Sequence, residues 1–135
     1  MSGNHYLLVT HTLIWFQENN PKIPSDVLKI IQNPENIIFF SQVSLFEIGI
    51  KQKIGKLPSF YASLEEVYLQ GIEDGFTFLS IQNQHLFAYL QIPLMESHRD
   101  PFDRLLISTA TTEKAAILTA DKTFRFYNDI VEVIW

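Results

Sequence analysis

A chain of 135 residues suits one domain, and at that size roughly two-thirds of the surface exposed by the unfolded chain can be buried, so a core forms without disulfide or metal staples. Hydrophobic residues at 47% against 19% charged exclude a disordered chain, eleven Phe beside five Gly argue against a loop-rich or repetitive one, and the lack of cysteine excludes a disulfide scaffold or a thiolate zinc site. A net charge of −5 disfavours a protein that coats nucleic acid through Lys and Arg, but is compatible with an enzyme whose carboxylates hold cations that meet phosphate.

His5 to Val9 reads as a short buried strand, and Thr10 to Gln17 as a helix ended by Glu18-Asn19-Asn20-Pro21. Ser25 is expected to cap a helix through Ile31, with Val27, Leu28 and Ile31 on one face, and Asn33-Pro34-Glu35 breaks it before a strand at Ile37 to Phe40. Ser44 to Ile54 reads as a helix with Leu45, Ile48 and Phe46 inward, stopped by Gly55, and a further helix is expected from Tyr61 to Gln70. Phe76 to Ile81 suits a strand and Asn83 to Leu90 a helix ended by Pro93. Asp100 to Lys114 is the best-marked helix, with Asp100 as its cap, Pro101 in its first turn, and Leu105, Leu106, Ile107 and Ala110 as its buried face. Ala116 to Thr119 follows as a strand, then a short helix over Asp121 to Phe126 and a strand at Ile130 to Ile134. Strands alternating with helices predict a parallel sheet covered on both faces. The apolar runs are too short to span a bilayer and the start lacks signal-peptide features, so a cytoplasmic protein is expected.

Three carboxylates, Glu47, Asp103 and Asp121, stand at or just beyond the start of a helix that follows a strand, where open α/β folds place their sites. Each also has a structural explanation. Ser44-x-x-Glu47 matches a capping box, Asp103 stands in the same relation to Asp100, and Asp121 suits the cap of its short helix. The two roles are compatible, because an acid over a helix start also lies at the strand-end rim.

Four segments in order, Tyr6-Leu7-Leu8-Val9-Thr10-His11, Ser44-Leu45-Phe46-Glu47-Ile48, His98 to Ile107 (HRDPFDRLLI) and Leu118-Thr119-Ala120-Asp121, resemble the motifs of the PIN-domain family and in particular its VapC-like toxins of type II toxin–antitoxin systems. The resemblance runs from about His5 to Trp135. It implies a three-layer α/β/α fold around a mostly parallel sheet of four to five strands, a single PIN domain over residues 1–135 with 1–4 as a disordered start or tag remnant, and an endoribonuclease dependent on Mg²⁺ or Mn²⁺. Carried over by position, Glu47, Asp103 and Asp121 match catalytic, metal-binding acids, with Thr10, Asp100, Arg104 and Thr119 in support. The first acid is missing: the family ends its opening strand with Asp, and this chain has Val9. Valine offers a hard cation neither oxygen nor charge, and losing one preorganised electrostatic group costs on the order of 10²–10³ in rate, so the chain is expected to be inactive or nearly so. Val9 is either a change introduced or selected because an active toxin kills the host that expresses it, the reading favoured here, or native to a domain that has lost catalysis.

His5, His11, His85 and His98 show no pair at metal-ligand spacing on one helix, and are read as solvated or locally hydrogen-bonded. Lys51, Lys53, Lys56, Arg99 and Arg104 are read as positive charge near the acidic cleft where an RNA backbone could lie, with Arg104 also able to pair with a carboxylate. Apolar and aromatic residues at Thr12 to Phe16 and Tyr61 to Leu69, Trp15 and Tyr68 included, are first of all core. The resemblance implies two further uses, a homodimer contact and a groove for an amphipathic segment of a cognate antitoxin. Two other functions stand beside the nuclease toxin: a catalytically dead domain that binds an antitoxin-like protein as decoy or regulator, and a PIN nuclease of RNA processing.

Overall fold

The computed structural model describes residues 4–94, 98 and 100–135, so Met1-Ser2-Gly3 and Arg99 lie outside the described residues. Strands β1 (His5–Leu8), β2 (Ile37–Ser41), β3 (Thr77–Leu79), β4 (Ala116–Leu118) and β5 (Val133–Ile134) form one sheet in the order β3-β2-β1-β4-β5. Every pairing is parallel. The helices are α1 (Thr10–Gln17), α2 (Ser25–Gln32), α3 (Gln42–Lys53), α4 (Leu64–Glu73), α5 (Asn83–Tyr89) and α6 (Pro101–Glu113), followed by a 3₁₀ helix over Lys122–Tyr127. The expected three-layer architecture with a five-stranded parallel sheet is therefore present.

Period-two alternation divides the core between the two faces of the sheet. Leu7, Phe39 and Ile117 share one face with Leu106, Ile107 and Ala110 of α6 and with Phe124 and Tyr127 of the 3₁₀ helix. Leu8, Ile38, Phe40 and Leu118 face the other way, onto Leu13 and Ile14 of α1, Val27 and Ile31 of α2, Ile48 of α3 and Val67 of α4. The register places Leu7 opposite Phe39 and Ile117, and Leu8 opposite Phe40 and Leu118, so neighbouring strands present the same parity to each layer. At Gly71 helix α4 crosses β2 so closely that an added Cβ would stand 2.7 Å from Cζ of Phe40.

Several helix starts differ from those expected. Ser25 is the first residue of α2 rather than its cap; the cap position is Pro24, with no side-chain bond. Helix α3 begins after Ser41, whose hydroxyl accepts from the Val43 N–H, and Ser44 lies buried inside the helix. The Ser44–Glu47 capping box is thus absent. A capping box does form at Ser63 and Glu66, which moves the start of α4 from Tyr61 to Leu64. Phe46 points outward, 59% exposed, because α3 turns Val43, Glu47 and Ile48 inward instead. The expected stop at Gly55 is present as a Schellman motif: Gly55 has φ +77°, Lys56 N–H donates to the Lys51 carbonyl and Gly55 N–H to that of Gln52.

Candidate active site

In a parallel sheet the chain enters helices from the carboxyl ends of the strands. Here β1 is central, its successor β2 lies on one side and β4 on the other, so the order reverses beside β1. Val9 immediately follows β1 there and is the N-cap residue of α1; it is 2% exposed and belongs to the same core cluster as Leu106 and Ile107 of α6. Thr10, the next residue, donates through Oγ1 to Oε1 of Glu47 at 2.5 Å and lies 3.0 Å from Oγ of Ser44. Glu47 is buried, and its Oε2 meets Nζ of Lys51 at 3.4 Å one helical turn on.

Helix α6 delivers the second acid. Asp100 caps it as expected, Oδ1 accepting from the N–H groups of Phe102 and Asp103 at 2.8 and 3.2 Å. Asp103 does not repeat the capping-box geometry; its Oδ2 faces Nε2 of His98 at 3.0 Å. Its carboxyl is pushed up from 3.8 to about 6, first by burial and then by the charges of Asp100 and Glu47, with the His98 hydrogen bond opposing. Glu47 and Asp103 are therefore within electrostatic reach of each other.

Asp121 stands beyond β4 and caps the 3₁₀ helix, its Oδ1 accepting from the N–H of Thr123 at 3.0 Å and from its hydroxyl at 2.7 Å. Thr119 is buried, and its Oγ1 accepts from the Asp121 N–H at 3.0 Å. His11 ties α1 to this corner by accepting through Nε2 from the Ala120 N–H at 3.1 Å. Burial holds its imidazole below the ordinary value of 6.5, with Asp121 pulling the other way.

Two expectations about cations need correction. Arg104 makes no ion pair with a carboxylate among the described residues. It is buried and donates to the carbonyls of Ile92 and Pro93 at 2.8 and 2.7 Å and to the hydroxyl of Tyr127 at 3.5 Å, its guanidinium 5.1 Å from the ring centre of Tyr89. Lys51 does approach the cleft, through Glu47, whereas Lys53 and Lys56 are exposed on or beyond the end of α3. The histidines divide too: His85 and His98 are buried, the first bonded to Glu113 at 2.8 Å and to the Gln82 N–H, the second between Asp103 and Tyr127. His98 is hydrogen-bonded, one of the two states expected of it, but its bond to Asp103 and the whole of Tyr127 were missed by pattern reading. The signal for His98 was its place at the head of the HRDPFDRLLI segment, two residues ahead of the Asp100 cap.

Whether these residues suit a divalent ion follows from the donor set. Glu47 and Asp103 offer hard oxygens, and their mutual repulsion is one a cation would relieve. Position 9 supplies a methyl pair instead, Asp121 is engaged with Thr123, and among the described residues no three His, Asp or Glu side chains are grouped to hold one ion. The set as it stands does not fit.

The family model for the PIN domain matches residues 6–129. The chain belongs to the PIN domain family. Its fold is shared with solved structures at low identity: VapBC2 from Rickettsia felis bound to a promoter DNA fragment (TM-score 0.67, 17% identity, 96% of each chain covered), VapBC-1 from nontypeable Haemophilus influenzae (0.63, 16%, 96% of each) and FitAcB from Neisseria gonorrhoeae (0.61, 19%, 96% of each). A search of curated proteins gives no significant match. At these identities the likeness is one of fold, and within the PIN scaffold Glu47, Asp103 and Asp121 all lie at the carboxyl-end rim, with Val9 at the end of its central strand. Among the described residues no helix is long and apolar enough to cross a membrane.

Proposed function

We propose that this chain is the nuclease-type partner of a toxin–antitoxin pair, built to hydrolyse RNA phosphodiesters in the cytoplasm and silenced by Val9. The observation that supports the reading is that Glu47 and Asp103 lie within electrostatic reach of each other, Asp103 being raised to about 6 by burial and by the charges of Asp100 and Glu47. Asp103 is ionised at neutral pH at a cost in burial and repulsion, a cost that a bound cation would relieve. The chain's own residues then hold Glu47 through Thr10 and Lys51, and hold Asp103 through His98.

The decisive experiment is Val9→Asp, expressed under tight repression and compared with the parent for cleavage of structured RNAs with magnesium, manganese or chelator, circular dichroism confirming the fold of both. The expected result is cleavage by Val9→Asp alone, stopped by chelator. Two folded proteins that both leave a broad RNA panel intact would overturn the nuclease reading.

A second reading, a protein-binding domain without catalysis, has its own support in the missing acid and in an open groove of about 710 Å³ between the end of α1 and α4, lined by Phe16, Phe60, Tyr61, Glu66 and Gln70. Tyr61 is 87% exposed there, and Glu66 and Asp74 give the groove an acidic rim suited to a basic, amphipathic segment. The VapBC and FitAcB complexes motivate an antitoxin as that segment's source.

A further inference from the structure

We propose that His98 is the positioning residue of the cleft: anchored by the hydroxyl of Tyr127, its imidazole fixes the carboxylate of Asp103 in one orientation. The functional meaning of this assignment rests on the nuclease reading; the positioning itself rests on a buried relay. Arg104 is held in place by the Ile92 and Pro93 carbonyls and donates through Nη1 to Oη of Tyr127 at 3.5 Å. Tyr127, 1% exposed, stands with Oη 2.8 Å from Nδ1 of His98. His98, 6% exposed, stands with Nε2 3.0 Å from Oδ2 of Asp103. The Tyr127 hydroxyl also lies 3.3 Å from the His98 carbonyl, and with its one proton on the shorter contact to Nδ1 each link of the relay is satisfied. The arginine donates to the phenol oxygen, the phenol O–H to Nδ1, and the Nε2–H to the carboxylate. The ring of His98 is further clamped by Phe124 and Tyr127, with centroids 5.5 and 5.3 Å away, so it cannot turn without displacing the core beneath the 3₁₀ helix.

The consequence falls on Asp103. A short acid in the first turn of a helix has more than one staggered rotamer open to it, and the relay removes that choice. With Oδ2 bonded to His98, Oδ1 is the oxygen left to serve the cleft. The relay also joins elements that are distant in sequence, since Arg104 and Asp103 lie on α6, Tyr127 ends the 3₁₀ helix after β4, and His98 precedes the cap of α6. Catalytic groups need placement to a fraction of an ångström, and a displacement of about 1 Å can cost on the order of 10²-fold in rate.

The test separates the two ring nitrogens. His98→Gln places an amide nitrogen near the position of Nε2 and keeps the donor to Asp103. His98→Asn keeps a polar group near Nδ1 and loses that donor. Three-bond couplings to Cγ of Asp103, measured by NMR on the otherwise unchanged chain, report its χ1 directly. The expected result is a single rotamer in the parent and in His98→Gln, and averaged couplings in His98→Asn. Tyr127→Phe, which leaves the imidazole but removes its anchor, should also average them and provides the same test if His98→Asn fails to fold. In the Val9→Asp background His98→Asn should lower kcat on the order of 10²-fold, and His98→Gln should restore most of it. A single Asp103 rotamer persisting in His98→Asn or Tyr127→Phe overturns the proposal. If Val9→Asp cleaves nothing, the nuclease reading fails while the couplings still decide whether His98 positions Asp103.

Discussion

At the scale of single residues, Asp103 carries a measurable consequence. Its carboxyl ionises near 3.8 in a solvated chain and near 6 in the fold, so between those values the native state binds more protons than the unfolded state. Stability linked to this group is greatest below about pH 4, declines as pH rises toward 6 and stays low above it. Asp103→Asn should therefore flatten this decline and raise Tm at pH 7 by about 3–6 °C, because the uncharged amide escapes the burial and the repulsion of Asp100 and Glu47. Thermal scans from pH 4 to 8 decide it, and an Asn variant less stable than the parent at pH 7 would show that the carboxylate is a stabilising group. Val9 was legible as an anomaly from the sequence, since an apolar residue stood where the resemblance to the PIN-domain family implied an acid. The bond from Thr10 to Glu47 was not, because a hydroxyl announces no partner until two elements meet.

Secondary-structure elements show how far local signals reach. The chain contains Ser44-x-x-Glu47 and Ser63-x-x-Glu66, the same pattern twice. At Ser63 it is a capping box, and at Ser44 it is not. The difference is tertiary: β2 ends at Ser41, which takes the cap and buries Ser44 against Thr10, leaving Glu47 to face the cleft. Asp100-Pro101 and Gly55 were read correctly because their chemistry is local, a cap oxygen with a ring that needs no N–H, and a residue free to take positive φ. Gly71 carries no such local signal. Its hydrogen side chain is required by the ring of Phe40, which is fully buried. Alanine improves helix propensity by roughly 1 kcal/mol, but overpacking against a core ring costs about 1–3 kcal/mol, so Gly71→Ala should lower stability on balance. Urea denaturation measures the sign, and a stabilised Gly71→Ala would mean that α4 lifts off β2 at little cost.

For the whole molecule, the sheet order sets a gradient of stability. β2, β1 and β4 are paired on both sides, whereas β3 and β5 are edges of three and two residues. Native-state hydrogen exchange should find the amides of Leu8 and Leu118 opening only with global unfolding, and those of Val133 and Ile134 exchanging through smaller local openings. Equal protection across the sheet would contradict this order. The same topology places the candidate site on the most protected ground, since Val9 immediately follows the central strand β1 and Thr119 the interior strand β4 beside it.

Composition, hydrophobic periodicity and turn chemistry were enough by themselves to determine an alternating α/β chain with a parallel sheet, the approximate span of most elements, and two acids, Asp103 and Asp121, at helix starts, whereas Glu47, expected at one too, lies past the first turn of α3. Those features are encoded within a few residues of one another, at the range over which caps, proline and alternation act. Tertiary structure alone decided which serine capped α3, that Arg104 would hold carbonyls and Tyr127 rather than a carboxylate, and that His98 would lie buried against Asp103. Each of those outcomes depends on side chains brought together from separate elements, where burial and hydrogen-bond demand select partners that no local pattern specifies.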